Sequence, residues 1–362
     1  MTSPDDPLIA LAAQLGSGPV EVKETHISRL ALAGEPGDGG VVLKQCKPVD
    51  FGFVDLSTRE KRRAALEKEL AVNDRFGPGV YRQVRLLSPE QGPDGEPVLE
   101  MARLNDQDTL EAKVKRGDAT AADLDAVLDH LLPLFEASER IPQWGDPAVI
   151  RQNLTENLDA MAAAEERFGV KLGSALLRCN QLTHLIDFEG ELRERSAAGF
   201  VRDGHGDLRA EHIYLTPVGV KILDGIAFGD RLRCVDVADE LCFLASDLIR
   251  LSPEYAPSPP QEGWEFGRAL LHRYRKRSGD PISDQLVELY LSYRFAVRAK
   301  VAALAAAGNE ADPGPRLKEA AARANDAIAI YDLCGGGWQN WVLAVFGGLS
   351  GSGKSTLAAA VA

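Results

Sequence analysis

The sequence contains no long apolar run and no cysteine pattern typical of a metal site. None of its uninterrupted apolar stretches approaches the ~20 residues that span a bilayer, and its N-terminus lacks the basic segment of a signal peptide. The five cysteines are scattered, without a CxxC pair or a Cys/His cluster, which favours reduced structural thiols. These absences argue against membrane-spanning, secreted and zinc-dependent classes, and they predict a cytoplasmic protein.

The chain has fewer positively than negatively charged residues. The chain has 41 Lys and Arg but 54 Asp and Glu, a formal net charge of −13, and a negative surface repels nucleic acid and anionic membranes at long range. The content of 45% hydrophobic and 26% charged residues is that of a folded globular protein. Because 362 residues exceed what one hydrophobic core usually organises, we expect two lobes with room for a cleft.

Hydrophobic patterns divide the chain into three parts. Residues 1–105 predict a small β-rich lobe, in which strands lie on either side of a single helix that begins near Ser57 or Thr58. Residues 106–332 predict a mostly helical lobe, interrupted by a short β-type passage at 201–229. Residues 333–362 predict the start of another domain. The fold class is therefore α+β.

The β-type passage carries two motifs that belong to one reaction. His205-Gly206-Asp207 is followed by His212 and an apolar strand, and Asp224 follows the strand VKIL. This pattern resembles the catalytic loop HGDxxxxN and the metal-binding Asp of the aminoglycoside-phosphotransferase and choline-kinase group. The resemblance implies a bilobal protein-kinase-like fold and ATP-dependent transfer of a phosphoryl group to a hydroxyl.

The chemistry of phosphoryl transfer explains why these residue types share a cleft. The protein positions an acceptor hydroxyl near a carboxylate and neutralises phosphate charge with Mg²⁺ and a lysine. The resemblance implies Asp207 as the catalytic carboxylate, with His205 in the same loop, and Asp224 and His212 as Mg²⁺ ligands. The family usually has Asn in place of His212, and imidazole is a less usual Mg²⁺ ligand than an amide oxygen. Further on, Asp236 is predicted to be buried and to bond to backbone near this loop.

The β-rich lobe supplies candidate residues for binding the nucleotide phosphates. Lys44, on the strand VVLK, resembles the phosphate-anchoring lysine of kinases. Lys47 is a weaker alternative, because it stands just before a Pro that ends the strand. The usual partner of the anchoring lysine is a Glu on the following helix. Glu69 is our choice, and Glu60 and Glu67 are the alternatives.

Two further features of this lobe concern the nucleotide. The segment PVLEMAR resembles the hinge between kinase lobes, where backbone groups of Glu100 and Met101 would contact adenine. A glycine-rich GxGxxG loop is absent, and residues 24–28 stand in its place. The resemblance implies ATP and Mg²⁺ as cofactors.

A second nucleotide motif lies near the end of the chain. The segment from Gly348 through Gly353 and Lys354 to Ser355 fits GxxxxGK[ST], between an apolar strand and a helix-forming segment. In such a P-loop, backbone N–H groups cradle phosphates, Lys354 reaches the terminal phosphates and Ser355 binds Mg²⁺. The chain ends seven residues after Ser355, so we expect this P-loop to be inactive as an NTPase in this form. The arrangement resembles a bacterial family in which an aminoglycoside-phosphotransferase-like domain is fused to a P-loop kinase or ATP-binding domain, and it implies a missing C-terminal part of α/β type.

Two functions remain open from the sequence. The first is an ATP-dependent phosphotransferase that acts on a hydroxyl of a small molecule. The alternative is a catalytically weak, kinase-like nucleotide-binding module that regulates a P-loop ATPase or kinase partner domain. The helix SYRFAVRAKVAALAAA places Arg294 and Arg298 one turn apart, with Lys300 nearby. This is either a solvated basic face or, if it lines the cleft, a site for an anionic acceptor.

Overall fold

The computed structural model describes residues 6–37, 39–50, 52, 54–87, 95–251, 263–308 and 312–333. The chain divides into two compact units. The first takes in the chain up to Gly145 together with Glu194–Pro281, and the second takes in Asp146–Arg193 and the chain from Ile282. The predicted P-loop residues lie outside the described part: Gly348, Gly353, Lys354 and Ser355. The predicted domain boundaries at 105 and 332 stay predictions.

The first unit begins with a five-stranded antiparallel sheet in the order β1-β2-β3-β5-β4. The strands are β1 (Glu21–Glu24), β2 (Ser28–Ala33), β3 (Val41–Cys46), β4 (Tyr81–Leu86) and β5 (Pro97–Ala102). β1 and β2 are separate antiparallel strands, because the chain reverses at residues 25–27. Ahead of the sheet, helix α1 (Pro7–Leu15) packs its buried residues Leu8 and Ala12 against β2 and β3.

Helix α2 (Arg59–Asn73) comes between β3 and β4 in the chain and packs against β4 and β5. It begins where the sequence predicts, because the Thr58 hydroxyl accepts a hydrogen bond from the Lys61 N–H. Its apolar face buries Leu66 in one cluster with Tyr81 and Leu99. This packing confirms the predicted single helix of the β-rich lobe and fixes which helical side chains face the sheet.

The rest of the chain is mainly helical. The remaining elements, in chain order, are α3 (Leu110–Arg116), α4 (Ala121–Ala137), α5 (Pro147–Phe168), α6 (Ser174–Asp187), α7 (Glu189–Ala198), β6 (Val201–Asp203), β7 (Ile213–Thr216), β8 (Gly219–Ile222), α8 (Asp230–Arg233), β9 (Cys234–Asp236), α9 (Val237–Leu251), α10 (Gly263–Ser278), α11 (Asp284–Ala307) and α12 (Gly314–Leu333). Among the described residues, no helix combines the length and the apolar character needed to cross a bilayer.

Two small β-pairs in the first unit hold the segment with the kinase-like motifs. β6 pairs with β9, and β7 pairs with β8 as a hairpin. The HGD motif therefore follows β6 directly, and Asp224 follows β8. The β-type passage predicted at 201–229 is confirmed.

The second unit consists of helices, with α11 packed along α12. Arg294, on α11, is buried, and its guanidinium lies 5.2 Å from the centre of the Tyr293 ring. The predicted solvated basic face is wrong for this residue, because α11 is enclosed along most of its length. Arg298 and Lys300 are partly buried.

Candidate active site

An ion pair between β3 and α2 forms the first part of the site. Lys44 Nζ lies 2.7 Å from Glu69 Oε1, and the two side chains are 18% and 14% exposed. Of the alternative partners, Glu60 is 77% exposed, and Glu67 pairs with an arginine one turn earlier on its own helix. The fold therefore selects Glu69 as the partner of Lys44.

The environment of Lys44 keeps its ammonium group charged. Burial lowers the pKa of Lys44, but the carboxylates of Glu69 and Asp224 together raise it above its usual value. Lys47 has a different role, because its Nζ lies 2.9 Å from Glu24 Oε2 and 2.8 Å from the Thr25 carbonyl oxygen. Of these two lysines, Lys44 is therefore the one that interacts electrostatically with Asp224.

The HGD segment is held by a buried carboxylate that the sequence analysis did not single out. Glu240, on α9, accepts hydrogen bonds from the backbone N–H of His205 at 3.0 Å and of Gly206 at 2.9 Å. Asp247, two turns further along α9, accepts one from Ala210 N–H at 3.1 Å. The residue type alone gave no signal for this role, because several acidic residues occur in this stretch of sequence.

Asp236 is buried, as predicted. Its carboxylate binds the guanidinium of Arg195 through two contacts of 2.7 Å and caps the start of α9 at Ala238 N–H. The predicted bond from Asp236 to backbone near the catalytic loop stays a prediction, and Glu240 is the carboxylate seen to bind the backbone of that loop.

His205 lies beneath the site, fully buried. Its Nε2–H donates to the Leu223 carbonyl at 2.8 Å, and its own carbonyl accepts from Ile226 N–H at 2.8 Å. Burial, together with the nearby His212, lowers the pKa of His205 to about 3. A neutral ring with its proton fixed on Nε2 cannot carry protons near neutral pH, so its contacts favour a positioning role.

The burial of His205 has a measurable effect on stability. An unfolded histidine has a pKa of about 6.5, so the folded state resists protonation that the unfolded state accepts. The stability from this group is complete above pH ~6.5 and falls as the pH drops toward 3, by up to about 1.4 kcal/mol per pH unit. We expect urea unfolding at pH 6, 5 and 4 to show this decline, with a shallower slope in His205→Asn. Equal slopes in the two proteins would contradict the assignment.

Asp207 and His212 lie side by side at the surface of this loop. Asp207 is 30% exposed, and His212 Nδ1 lies 3.7 Å from Asp207 Oδ2. The same Nδ1 is 2.9 Å from the Asp207 carbonyl oxygen, and because a carbonyl only accepts, Nδ1 carries a proton. Nε2 lies 4.0 Å from Glu211 Oε1. Arg209 approaches Asp207 Oδ2 at 4.0 Å and is paired with Glu211.

Asp224 has a backbone conformation that residues with a side chain rarely adopt. Its φ of 62° is the only positive value among the described non-glycine residues and costs about 1–2 kcal/mol. The turn is held by a bond from Asp224 N–H to Tyr81 Oη at 3.0 Å and one from Leu223 N–H to the His212 carbonyl at 2.9 Å. The Asp224 side chain is exposed. Such a conformation, fixed from several sides, is typical of a functional residue.

Lys44 and Asp224 line one cleft of about 810 Å³ in the first unit. This volume is within the range of small-molecule sites. Apolar side chains form much of its wall: Leu30, Leu32, Val42, Met101, Leu104 and Leu223. The cleft therefore combines an apolar region for a flat ring system with a cation and a carboxylate.

Glu100 does not line this cleft. It lies inside β5, in register with Leu43 of β3 and Gln83 of β4. Its buried carboxylate binds Arg82 and Arg85 instead. The predicted adenine contact at Glu100 is therefore not what the fold provides, because its backbone faces neighbouring strands on both sides.

The chain leaves the sheet two residues later than the predicted hinge. Met101 is in register with Val42 and Tyr81, and it contributes its side chain to the cleft. Arg103 pairs its backbone with Gly40. Leu104 lines the cleft, and its backbone groups bond to no other residue in the described ranges. The backbone groups of Leu104 are therefore candidates for the contacts that the sequence analysis assigned to Glu100 and Met101.

The turn that replaces a glycine-rich loop is braced by hydroxyl groups. Thr25 Oγ1 accepts from Ser28 N–H at 3.0 Å and from Ile27 N–H at 3.3 Å, and it lies 2.9 Å from Ser28 Oγ. Lys47 ties the turn to β3 through Glu24. Residues 25–28 line the cleft, so this side of the site is built from a fixed turn.

Comparisons of the sequence find relatives but no family. No family model matches the chain. It is 31% identical over 357 residues to uncharacterized proteins of Mycobacterium tuberculosis and Mycobacterium bovis, and the match covers 95% of this chain and 65% of those proteins. The chain therefore spans about two thirds of the length of these relatives.

The similarity to solved structures identifies the class of fold. Choline kinase from Cryptosporidium parvum Iowa II superposes with a TM-score of 0.54 at 10% identity, over 90% of this chain and 94% of that one. A thermostable mutant of an aminoglycoside phosphotransferase gives 0.50 at 12% identity, over 88% and 96%. The chain has the mixed α/β, kinase-like fold of these small-molecule kinases. The predicted aminoglycoside-phosphotransferase-like fold is confirmed at this level.

Proposed function

We propose that this chain is an ATP-dependent phosphotransferase that acts on a hydroxyl group of a small molecule. The observation that carries the proposal is the Lys44–Glu69 ion pair in the field of Asp224, at the wall of a partly apolar cleft. Asp207 belongs to a loop whose His212 carbonyl binds the backbone next to Asp224. A kinase-like fold with this set of residues supports phosphoryl transfer.

The residues of the cleft fit a magnesium nucleotide. The apolar wall suits adenine, the free backbone of Leu104 suits its ring nitrogens, and Lys44 suits the phosphates. The Asp224 carboxylate and His212 Nε2 would hold Mg²⁺, whose charge stabilises the transferring phosphate when the ion is bound. The described residues contain no cluster of three or more metal-ligating side chains, and kinase Mg²⁺ sites typically use one or two protein ligands with phosphate oxygens and water.

Asp207 would orient the acceptor and take its proton. The acceptor oxygen bonds to the γ-phosphorus, the bond from that phosphorus to the β–γ bridging oxygen breaks, and the hydroxyl proton passes to the Asp207 carboxylate. The products are a phosphorylated acceptor and ADP. The Arg209 guanidinium lies 4.0 Å from Asp207 Oδ2, so it attracts this carboxylate.

The acceptor is proposed only as a small hydroxyl-bearing molecule. An anionic acceptor, which the sequence suggested from Arg294, Arg298 and Lys300, stays a proposal. The motif ending at Ser355 supports a P-loop domain at the C-terminal end of a longer protein.

The second candidate function, a regulatory nucleotide-binding module, is favoured by His212 in the place of the usual Asn.

A matched pair of lysine variants tests the proposed function. We expect wild-type protein with Mg²⁺ and γ-labelled ATP to transfer label to at least one member of a panel of small alcohols and sugars. Lys44→Ala should lower kcat/KM by about 10²–10³-fold, because it removes the cation that faces the phosphates. Lys115→Ala, which removes an exposed lysine paired with Glu111 on its own helix, should retain most of the activity.

The outcomes separate the two candidate functions. Transfer that is lost only in Lys44→Ala would support the phosphotransferase. Nucleotide binding that is lost in Lys44→Ala, without transfer by any protein, would support the regulatory module instead. Equal activity of both variants would rule out the cleft as the site of transfer.

A further inference from the structure

A buried asparagine connects the helix of Glu69 to the turn of Asp224. Asn73 is the last residue of α2, one turn after Glu69, and it is fully buried. Its Oδ1 accepts from Gly225 N–H at 2.6 Å, and its Nδ2 donates to the Gly225 carbonyl at 3.3 Å. Nδ2 also donates to the Glu69 carbonyl at 3.0 Å. One side chain thus binds the backbone of both segments.

This set of bonds requires a carboxamide. Nδ2 carries two hydrogens and Oδ1 carries two lone pairs, so Asn73 can satisfy both backbone groups of Gly225 and the Glu69 carbonyl at once. An aspartate at the same position would only accept, and an apolar residue would do neither. The chemistry of the side chain therefore matches its three backbone partners in number and direction.

Gly225 is enclosed by Asn73 on one side and His205 on the other. A Cβ atom at Gly225 would lie 3.1 Å from Asn73 Oδ1 and 3.1 Å from His205 Cδ2. These approaches are too close for a side chain without displacement of a neighbour. The backbone that follows Asp224 is therefore fixed between α2 and the HGD loop.

We propose that Asn73 is a positioning residue that sets the Asp224 carboxylate relative to the Lys44–Glu69 pair. This inference rests on the proposed function of the cleft and deepens it. The Asn73 amide holds Gly225, and the rigid backbone from Gly225 to Asp224 transmits this position to the carboxylate. Because Asn73 also binds the Glu69 carbonyl, a shift of α2 moves the Glu69 and Asp224 carboxylates together.

The test measures how much Mg²⁺ tightens nucleotide binding. We expect titration calorimetry with a non-hydrolysable ATP analogue to show at least a tenfold loss of the Mg²⁺-dependent gain in affinity in Asn73→Ala. Affinity without Mg²⁺ should change less than threefold, because Lys44 and the apolar wall remain. The matched control is Asn157→Ala, which truncates an equally buried asparagine of the second unit and should leave the Mg²⁺ effect intact.

A second variant approaches the same contact from the other partner. Gly225→Ala requires Asn73 or His205 to shift by a few tenths of an ångström, so the protein should fold and should show the same loss of the Mg²⁺ effect. An unchanged Mg²⁺ effect in both folded variants, with a loss of thermal stability alone, would overturn the inference. Absence of phosphoryl transfer by wild type would contradict only the proposed function, since the Mg²⁺ effect on binding is read separately.

Discussion

Asp207→Asn is expected to lower phosphoryl transfer by about 10²–10⁴-fold, the usual contribution of a general base. The amide has nearly the same shape as the carboxylate but takes up no proton from the acceptor hydroxyl. The loop itself should not move, because Glu240 and Asp247 hold it through backbone groups that the substitution leaves in place. Nucleotide affinity should therefore stay within a few-fold of wild type.

The measurement is single-turnover transfer to an accepted substrate, combined with nucleotide titration of the same preparations. Glu211→Gln is the matched control, because Glu211 is another carboxylate of this loop, paired with Arg209. It should keep most of the transfer rate. If Asp207→Asn retained the wild-type rate, Asp207 would not be the proton acceptor, and the proposed chemistry would be wrong.

Of the substitutions proposed, Glu240→Ala is expected to lower the free energy of unfolding the most. The truncation leaves the N–H groups of His205 and Gly206 buried without their acceptor, and each such group costs about 1–3 kcal/mol. We expect the free energy of unfolding in urea to fall by about 2–5 kcal/mol. Glu240→Gln, which keeps one acceptor oxygen, should lose less.

An exposed glutamate of the same unit provides the control for this effect. Glu67 is about half exposed and pairs with an arginine on its own helix, so Glu67→Ala should change stability by no more than about 0.5 kcal/mol. A similar loss in Glu67→Ala and Glu240→Ala would show that the contacts to the HGD segment contribute nothing specific.

The sequence predicted those parts of the site that depend on local order along the chain. Lys44 is predicted from its resemblance to the phosphate-anchoring lysine of kinases, and Asp207 and Asp224 are predicted from a motif in which loop and strand succeed each other at fixed spacing. The sequence favours Glu69 as the partner of Lys44, but excluding Glu60 and Glu67 needs the fold, because all three candidates lie on the same helix. Only its orientation toward the sheet separates them.

The residues that the sequence analysis missed act through side chains directed at distant backbone. Asn73 and Glu240 lie in helices of ordinary composition, and their partners are 152 and 34–35 positions away in the chain. Nothing in local patterning marks such contacts. The hinge was placed too early for another reason: β5 continues through Glu100 and Met101, and strand ends are poorly defined by hydrophobic alternation alone.

Because hydroxyl groups hold the turn at residues 25–28, this part of the cleft is ordered when the protein folds and not when a ligand binds. A glycine-rich loop samples many conformations, and it loses that freedom when it closes over a ligand. Here the bonds of Thr25 and Ser28 restrict the backbone dihedral angles already in the free protein. The conformational entropy of this segment is therefore lost during folding, and the binding free energy of a ligand in the cleft does not have to offset it.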